Sequence, residues 1–357
     1  FGQRPFDHTP PTGYKALNTA NLPVPTVKDG TEYFNTVLYT GTGSSNAITG
    51  VGFQPDWVWI KKRSGSENHE LQDAVRGATK RLASNSTAAE ATVAGSISSF
   101  DSDGFTVVNA GTTNENTFTY VAWNWKAGGS GSANTDGTIS STVSVNAEAG
   151  FSIVSYTGTG ANATVGHGLN DAPKFVITKS RDTADNWFCF HESIGNTKYI
   201  RLDVSNAAVT SSTLWNNTSP TSTTFSLGTS GGANRNNDDY IALVFSEVEG
   251  YSKFGSYTGN GSADGPFVFC GFSVQFVMVK RYDSTDSWQI HDISRAPHNP
   301  SDKYLLPDSS GAEGTSTTLD FLSNGFKLRN SSNLNNSGGS FLFMAFAETP
   351  FKYATAR

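Results

Sequence analysis

Hydrophobic and polar residues alternate with a period of two in short segments spread over the whole chain. Examples are residues 151–156 (FSIVSY), 199–203 (YIRLD) and 325–329 (GFKLR). Strands that bury one face show this alternation, because successive side chains point to opposite faces of a sheet. Three other runs are apolar at nearly every residue, which is typical of strands covered on both faces. These runs are 120–125, 240–245 and 341–346. The pattern predicts an all-β protein, with at most one helical turn near residues 71–83.

One strand-turn-strand signature occurs three times along the chain. Its tag is an aromatic-Thr-Gly turn that begins at Tyr39, Tyr156 and Tyr257. A hydrophobic run follows each tag and ends in a lysine, which lies 22, 23 and 23 residues after its tyrosine. These lysines are Lys61, Lys179 and Lys280. The repetition predicts three tandem antiparallel β-sandwich modules of jelly-roll or concanavalin-like type.

The repeat divides the chain into five segments. Residues 1–32 are rich in proline, which disfavours helix, and we predict an extended strap or the end of an upstream domain there. Module 1 is predicted at 33–127, module 2 at 150–249 and module 3 at 250–357, with a Gly/Ser-rich linker at 128–149. We expect this linker to let module 1 reorient. The short step between modules 2 and 3 is expected to fix their relative pose.

Composition narrows the possible partners. The net charge is −6 and the sequence has no basic block, which argues against binding to nucleic acid. No apolar stretch approaches the roughly 20 residues needed to span a bilayer, which argues against membrane insertion. Cys189 and Cys270 fall in different modules, so no disulfide can form within a module. We expect two buried thiols and assembly in a reducing cytoplasm.

The histidines and acidic pairs do not form a recognisable catalytic or metal site. His69 and His191 lie next to glutamates but lack the second histidine of a zinc protease, and we predict histidines in turns or on the surface. Asp101 with Asp103, and Asp238 with Asp239, are best explained as turn residues. Ca²⁺ remains the lesser alternative for these pairs, since it takes six to eight oxygen ligands. No catalytic residue, metal site or cofactor is predicted.

Three tryptophans lie in stretches rich in Ser, Thr, Asn and Asp. Trp187, Trp215 and Trp288 could stack on sugar rings, because flat aromatic faces beside polar groups are what glycan binding requires. The alternative is a structural role, because Trp187 and Trp288 follow similar loops in two modules.

Asp292 and Arg295 are added to this candidate glycan site because an acidic residue followed by arginine could hold a ligand. Alignment of the modules by spacing places Asp73, Glu192 and Asp292 at one position. A local ion pair that holds a loop is the plainer interpretation of this spacing, and such pairs contribute little when exposed.

Module 1 alone carries two pairs of alternating tryptophans. These are Trp57 with Trp59 and Trp123 with Trp125. Rings on one strand face remain exposed unless another surface covers them, so we predict a subunit interface at these four residues.

The third module carries the clearest family resemblance. It contains YTGNG at 257–261, GPFV at 265–268, WQIHD at 288–292, FLSNGF at 321–326 and AFAETPF at 345–351. Together these motifs resemble the repeated domain found in structural proteins of marine tailed bacteriophages. The opening FGQRPF and residues 11–23 resemble the end of a SPRY or concanavalin-like domain that precedes such repeats. The resemblance implies a virion protein of a fibre, the tail or the capsid surface, and it supplies no catalytic residues.

The function predicted first is therefore a non-enzymatic virion structural protein that is assembled in the host cytoplasm and takes part in host attachment. We expect a homo-oligomer, a trimer by analogy with fibres, with other virion proteins as partners and a host-surface glycan as a candidate ligand. The second hypothesis is a carbohydrate-binding module array, at a receptor-binding tip or attached to a glycan-active enzyme. The third is a bacterial surface adhesin.

Overall fold

The computed structural model describes residue 8, residues 11–14 and residues 21–354. Parts of the predicted N-terminal strap, at 1–7, 9–10 and 15–20, lie outside the described residues. The described chain is almost entirely strand and turn, in several antiparallel sheets, so the predicted all-β, sandwich-type fold is confirmed.

Module 1 begins with a short 3-10 turn at Gly30–Glu32 and has one helical turn, α1, at Gly111–Asn114. Its strands are β1 (Phe34–Thr40), β2 (Asn46–Ile48), β3 (Trp57–Lys62), β4 (Glu70–Asp73), β5 (Lys80–Arg81), β6 (Ala91–Thr92), β7 (Ile97–Asp101), β8 (Gly104–Val107) and β9 (Thr119–Trp125). The segment 71–83, where at most one helical turn was expected, contains β4 and β5 with turns between them.

Module 2 contains a 3-10 turn at Glu192–Ile194 and a helical turn, α2, at Gly231–Asn234. Its sheets are built from β10 (Ser132–Asn134), β11 (Ser141–Asn146), β12 (Phe151–Thr157), β13 (Ala163–Gly166), β14 (Phe175–Ser180), β15 (Phe188–His191), β16 (Lys198–Arg201), β17 (Val209–Thr210), β18 (Thr224–Leu227) and β19 (Asp239–Phe245).

Module 3 has a 3-10 turn at Asn333–Asn335 where the other modules have their helical turns. Its strands are β20 (Ser252–Thr258), β21 (Phe267–Phe269), β22 (Phe272–Arg281), β23 (Gln289–Asp292), β24 (Ser301–Tyr304), β25 (Gly314–Leu322), β26 (Gly325–Leu328) and β27 (Ser340–Pro350).

The same strand order occurs in each module. The inner sheets follow the orders β1-β9-β3-β4, β12-β19-β14-β15 and β20-β27-β22-β23, the second of these within an eight-stranded sheet. The outer sheets are β2-β8-β7, β13-β18 and β21-β26-β25-β24. Each inner sheet therefore has an outer sheet from its own module on one face.

The segment predicted as a flexible linker is not an unstructured tether. Residues 132–134 and 141–146 form β10 and β11, which extend the inner sheet of module 2 beyond β12. Three of the six residues of β11, Thr142, Val143 and Val145, are β-branched, so the strand is compatible with its sequence despite the nearby glycines. This pairing holds the segment against module 2 and contradicts the expectation that it lets module 1 reorient.

The second face of each inner sheet points to a core shared by all three modules. Trp125, Phe245 and Phe346 occupy equivalent positions on the central strands and belong to one buried cluster. The ring centroids of Phe245 and Phe346 are 6.1 Å apart, and those of Trp125 and Phe346 are 5.9 Å apart. The central strands are apolar at nearly every residue because both of their faces are buried.

The repeated tag has a structural explanation. Its first glycine packs against the carbonyl of the residue after the helical turn, and a Cβ added at Gly41, Gly158 or Gly259 would lie 2.1–2.3 Å from that oxygen. A buried asparagine from the turn then accepts a hydrogen bond from the next backbone N–H, over 2.7–2.9 Å, in every copy. The three asparagines are Asn114, Asn234 and Asn335. The tag therefore joins the first strand of each module to the turn before its last strand.

Candidate functional site

The paired tryptophans of module 1 lie at the centre of the molecule. Trp57, Trp59, Trp123 and Trp125 are at most 1% exposed. The rings of Trp57 and Trp125 stack with centroids 4.1 Å apart, and Trp125 also meets Phe276 of module 3 at 5.9 Å. The surface that covers these rings belongs to the same chain. The predicted subunit interface is therefore wrong at these four residues, which form an interface between modules.

The loop tryptophans are also buried between modules. Trp187 Nε1 of module 2 donates a hydrogen bond to the Ala83 carbonyl of module 1, over 2.9 Å. Trp288 Nε1 of module 3 donates to the Arg201 carbonyl of module 2, over 2.8 Å. Ala83 follows Leu82, which pairs with Leu71 of β4. Arg201 follows Ile200, which pairs with Cys189 of β15. The two tryptophans are 1% and 0% exposed, so neither ring offers a face to a sugar.

His69 occupies the position of these tryptophans in module 1. His69, Trp187 and Trp288 each lie four residues before a residue that pairs with the inner sheet. These later residues are Asp73, His191 and Asp292, and they pair with Trp57, Phe175 and Phe276. His69 Nδ1 accepts a hydrogen bond from Trp59 Nε1, over 2.8 Å, so Nε2 carries the proton and donates to the Leu306 carbonyl of module 3, 3.0 Å away. Burial lowers the pKa of His69 to about 3, which keeps the ring neutral.

These three contacts close a cycle. Module 1 donates to module 3, module 3 donates to module 2, and module 2 donates to module 1. A second cycle in the same direction is made by backbone N–H groups, each over 2.9 Å. They are Glu67 to the Ser310 carbonyl, Asp185 to that of Thr87 and Asp286 to that of Ser205. The modules therefore surround the shared core as a closed ring of three.

The lysines that end the repeated hydrophobic run occupy the same junctions. Lys61, Lys179 and Lys280 are fully buried. Each ammonium donates to carbonyls of its own module and to one carbonyl of the next module. The carbonyls reached in the next module are those of Ser310, Thr87 and Ser205, at 3.2, 3.2 and 2.8 Å. Burial lowers the pKa of each lysine to about 8.

Two of the three junctions also contain a buried ion-pair network. In module 3, Asp292 accepts from Arg295 Nε over 2.6 Å, and Arg295 also contacts Glu313. Glu313 forms a two-bond pair with Arg63 of module 1, both bonds being 2.9 Å. Asp292 also accepts from Trp123 Nε1 of module 1, over 3.0 Å. Asp292 and Arg295 therefore form an ion pair, as the plainer interpretation held, but the pair is buried between modules.

The junction of modules 1 and 2 repeats this network with Asp73, Arg76, Glu90 and Arg181. Arg181 holds both oxygens of Glu90, over 2.9 and 3.0 Å. Burial alone would raise the pKa of Glu90, but the hydrogen bonds from Arg181 and the charges of Arg76 and Arg181 outweigh burial and hold that pKa below its usual value. Such two-bond pairs fix geometry as well as charge.

The third junction replaces the network by uncharged residues. The positions of Asp73 and Arg76 are taken in module 2 by His191 and Ile194. The alignment of Glu192 with Asp73 and Asp292 is therefore wrong by one residue, and Glu192 instead meets Lys174 at the surface. At this junction Ala208 of module 2 accompanies Tyr282 of module 3, joined by a 2.9 Å backbone hydrogen bond. All members of the network are replaced together.

Trp215 is buried within module 2 and is 2% exposed. Its ring lies edge-on to Phe190, with centroids 6.2 Å apart, and Nε1 has no hydrogen-bond partner. Trp187, Trp215, Trp288, Asp292 and Arg295 are thus all inaccessible, and the predicted glycan contact at these residues is wrong. The sequence contained one signal that these tryptophans are structural. Similar loops, RDTAD at 181–185 and YDSTD at 282–286, precede Trp187 and Trp288 in two modules.

Four histidines that were expected in turns or on the surface are fully buried. They are His69, His167, His191 and His291. Both cysteines are buried and free, as expected. Among the described residues, no group of three or more His, Cys, Asp and Glu side chains is placed to hold a metal ion. Asp103 instead accepts from the backbone N–H groups of Gly50 and Gly52.

Glu70 is a buried acidic side chain that the sequence did not single out. Its carboxylate is fully buried, and Thr112 is the hydroxyl group beside it that lowers its pKa. The nearest cation is Arg81, whose Nε lies 3.4 Å away. Burial raises the pKa of Glu70 from 4.5 to about 7, with partial compensation by the charge of Arg81. The side chain therefore changes charge near neutral pH.

A groove of about 490 Å³ opens where the described chain begins and ends. It is lined by the N-terminal residues Leu22, Pro23 and Pro25, by the step between modules 2 and 3, by residues 269–271 and by residues 350–352. Lys352 Nζ donates to the Leu22 carbonyl beside it. Phe269, at the rim, is 61% exposed.

Comparison with known proteins places the chain in a family without assigning an activity. No helix of the described residues is long and apolar enough to cross a membrane. A search of curated proteins finds no match. One family model, described as a domain of unknown function, covers residues 29–350, which includes all three inner sheets. The chain therefore belongs to the family described as "Domain of unknown function (DUF7483)".

Proposed function

We propose that this chain is a non-enzymatic structural protein of a bacteriophage particle, in a fibre, in the tail or on the capsid surface. The observation that supports this proposal best is the closed ring of three modules around one aromatic core. The resemblance of module 3 to repeated domains of phage structural proteins gives the particle context. The chain is then a rigid building block rather than a string of independent beads.

The residues that are most distinctive in sequence serve the body of the protein. Three groups of side chains are buried at module junctions: the tryptophans Trp187 and Trp288, the repeated lysines and the Asp-Arg pairs. A rigid, well-packed body with short turns resists proteolysis, because cleavage requires local opening of the backbone. That property suits a component displayed on the outside of a particle.

The tryptophans that indicated an oligomer are used inside the chain, so an assembly of copies must use other surfaces. The trimer remains a proposal by analogy with fibres. Partners among virion proteins would have to contact exposed groups, such as the aromatic residues beside the groove. A host glycan would likewise need a surface other than the buried tryptophans.

The direct test is location in purified particles. Antibodies raised against recombinant protein are applied to density-gradient-purified phage, with quantitative mass spectrometry of the same fractions. We expect labelling at a fixed position and a constant ratio to the major capsid protein across the gradient. A protein that stays in the soluble fraction or on the host-cell surface, with none co-purifying with intact particles, would overturn the proposal.

A further inference from the structure

The outer sheet of module 3 ends in a short strand with an unusual edge. In β21, Phe267 and Phe269 are 45% and 61% exposed, while Val268 between them is buried. Within the described residues, β21 is the last strand on its side of the sheet. Its outward backbone groups form an edge to which a further strand can pair. Two exposed phenylalanines beside such an edge are the opposite of the charged residues that usually protect it.

Module 2 shows what covers the equivalent edge. Val165 of β13 pairs with Phe225 as Val268 of β21 pairs with Phe326, so the two strands correspond. Ile139 lies beside Val165 in a parallel bridge. The segment 137–139 is therefore seated on the edge of module 2.

The contacts of this seated segment define its chemistry. Ile139 N–H donates to the Thr164 carbonyl over 3.0 Å, and Thr164 N–H donates to Thr138 Oγ1 over 2.9 Å. A Cβ added at Gly137 would lie 2.4 Å from the same Thr164 oxygen. The edge thus takes an extended segment with glycine at the close approach, followed by two β-branched residues.

Phe267 of module 3 corresponds to Thr164, so its N–H and carbonyl point away from β26 in the same way. The step between modules 2 and 3 is too short to supply a covering segment, since Phe245 ends β19 and Ser252 begins β20. The groove of about 490 Å³ continues the edge beyond Phe269 and is lined there by Leu22 and Phe351. The edge and the groove together form one extended surface, apolar at the phenylalanines and charged farther along at Glu247, Glu249, Lys253 and Lys352.

We propose that the edge of β21 is a docking site for an extended segment of a protein partner, which adds as a parallel strand with a Gly-Thr-Ile type sequence. The backbone of Phe267 supplies the hydrogen bonds, and the exposed ring of Phe269 lies beside the added strand. This is strand addition at a sheet edge, in which backbone bonds give affinity and side-chain contacts give specificity. The inference does not depend on the assignment to a phage particle.

The probe is a fluorescein-labelled nine-residue peptide with the sequence of residues 135–143 (TDGTISSTV), titrated with the whole chain and followed by fluorescence anisotropy. We expect saturable binding at one site below about 1 mM. Two altered peptides test the geometry on the unaltered protein. N-methylation of the isoleucine removes its donor, and Gly137→Ala adds the clashing Cβ. Each change should weaken binding about tenfold or more, because each removes or obstructs the hydrogen bond at the point of closest approach.

Protein variants locate the site. Phe267→Pro removes the outward N–H without touching a ladder bond and should weaken binding about tenfold, whereas Phe267→Thr recreates the module 2 edge and should bind within about threefold of the original. Ala47→Pro, at the equivalent exposed edge of module 1, is the matched control and should change nothing. Absence of saturable binding up to about 1 mM, or binding that ignores both peptide modifications, would overturn the proposal. Loss of peptide binding in the Ala47→Pro variant, with binding unchanged in the Phe267→Pro variant, would also overturn the proposal.

Discussion

Replacing Lys179 by methionine removes one buried charge from the junction between modules 1 and 2. The lysine is fully buried, and burial lowers its pKa from 10.5 to about 8. Unfolding returns the side chain to water, where its pKa is about 10.4. Between about pH 8 and 10.5 the unfolded state therefore binds more protons than the folded state. The free energy of unfolding must rise with pH across this window, because the penalty of burying the charge disappears as the folded lysine loses its proton.

The size of the effect follows from the shift. A difference of about 2.5 pKa units corresponds to about 3.4 kcal/mol in total. Between pH 8.0 and 9.5, the linkage relation gives about 1.6 kcal/mol for one such lysine. Lys61 and Lys280 have pKa values near 8 for the same reason. If the three lysines act independently, they contribute about 5 kcal/mol together over this range, and Lys179→Met loses about one third of that contribution. Burial raises the pKa of Cys189 and Cys270, which lowers the slope over the same range in both proteins, so the quantity to compare is the difference between the two slopes.

Urea unfolding followed by tryptophan fluorescence at pH 8.0, 8.5, 9.0 and 9.5 measures the slope. The range stops at 9.5 because burial raises the pKa of tyrosines such as Tyr156, which reverses the slope at higher pH. The variant also loses the hydrogen bonds to Thr87, Ser180 and Thr183, a pH-independent loss of about 1.5–3 kcal/mol. Lys198→Met, at an exposed position, is the matched control.

An unfolding free energy that rises equally with pH in Lys179→Met and in the unaltered protein would refute this reasoning. The control variant must keep the original slope, since its side chain is in water in both states.

Three further predictions use the same unfolding assay. Glu70→Gln should stabilise the protein at pH 8 by up to about 3 kcal/mol and have little effect at pH 5. The reason is that the raised pKa of about 7 makes the buried carboxylate unfavourable only as pH rises from 4.5 to 7. Equal stabilisation at pH 5 and pH 8 would contradict this. A double-mutant cycle of Arg181→Met and Glu90→Gln should give a coupling energy above about 1 kcal/mol, more than exposed pairs give. A coupling energy near zero would show that the ion pair does not stabilise the junction. Trp288→Phe should cost about 1–3 kcal/mol, because it leaves the buried Arg201 carbonyl without its donor, and an unchanged unfolding midpoint would count against that contact.

The sheet content of the protein could be predicted from sequence because it is a local property. Alternation, the repeated tag and the doubly apolar runs all depend on neighbours within a few residues. The closed ring could not be predicted in this way. The pattern shows that a strand such as 120–125 is covered on both faces, but not whether a second module or a second subunit covers it.

The candidate site failed for a related reason. Trp187 and Trp288 lie in polar loops, and polar loops usually face water. Here the next module covers each loop, and its carbonyl satisfies the indole N–H. The repeated lysine at a constant offset was the missed signal, because a charged residue kept at the end of an apolar run needs a buried partner. Composition also misled at residues 141–146, where glycine-rich surroundings obscured a strand rich in β-branched residues.

The most direct test of the closed ring is calorimetric unfolding of the whole chain. Residues 21–354 unfolding as one unit give an enthalpy of about 230 kcal/mol near 60 °C at about 0.7 kcal/mol per residue, whereas a module of about 100 residues gives about 70 kcal/mol. A shared core predicts a single transition whose van't Hoff enthalpy equals the calorimetric enthalpy. Resolved transitions, or a van't Hoff enthalpy near one third of the calorimetric value, would show three modules that unfold independently and would contradict the shared core.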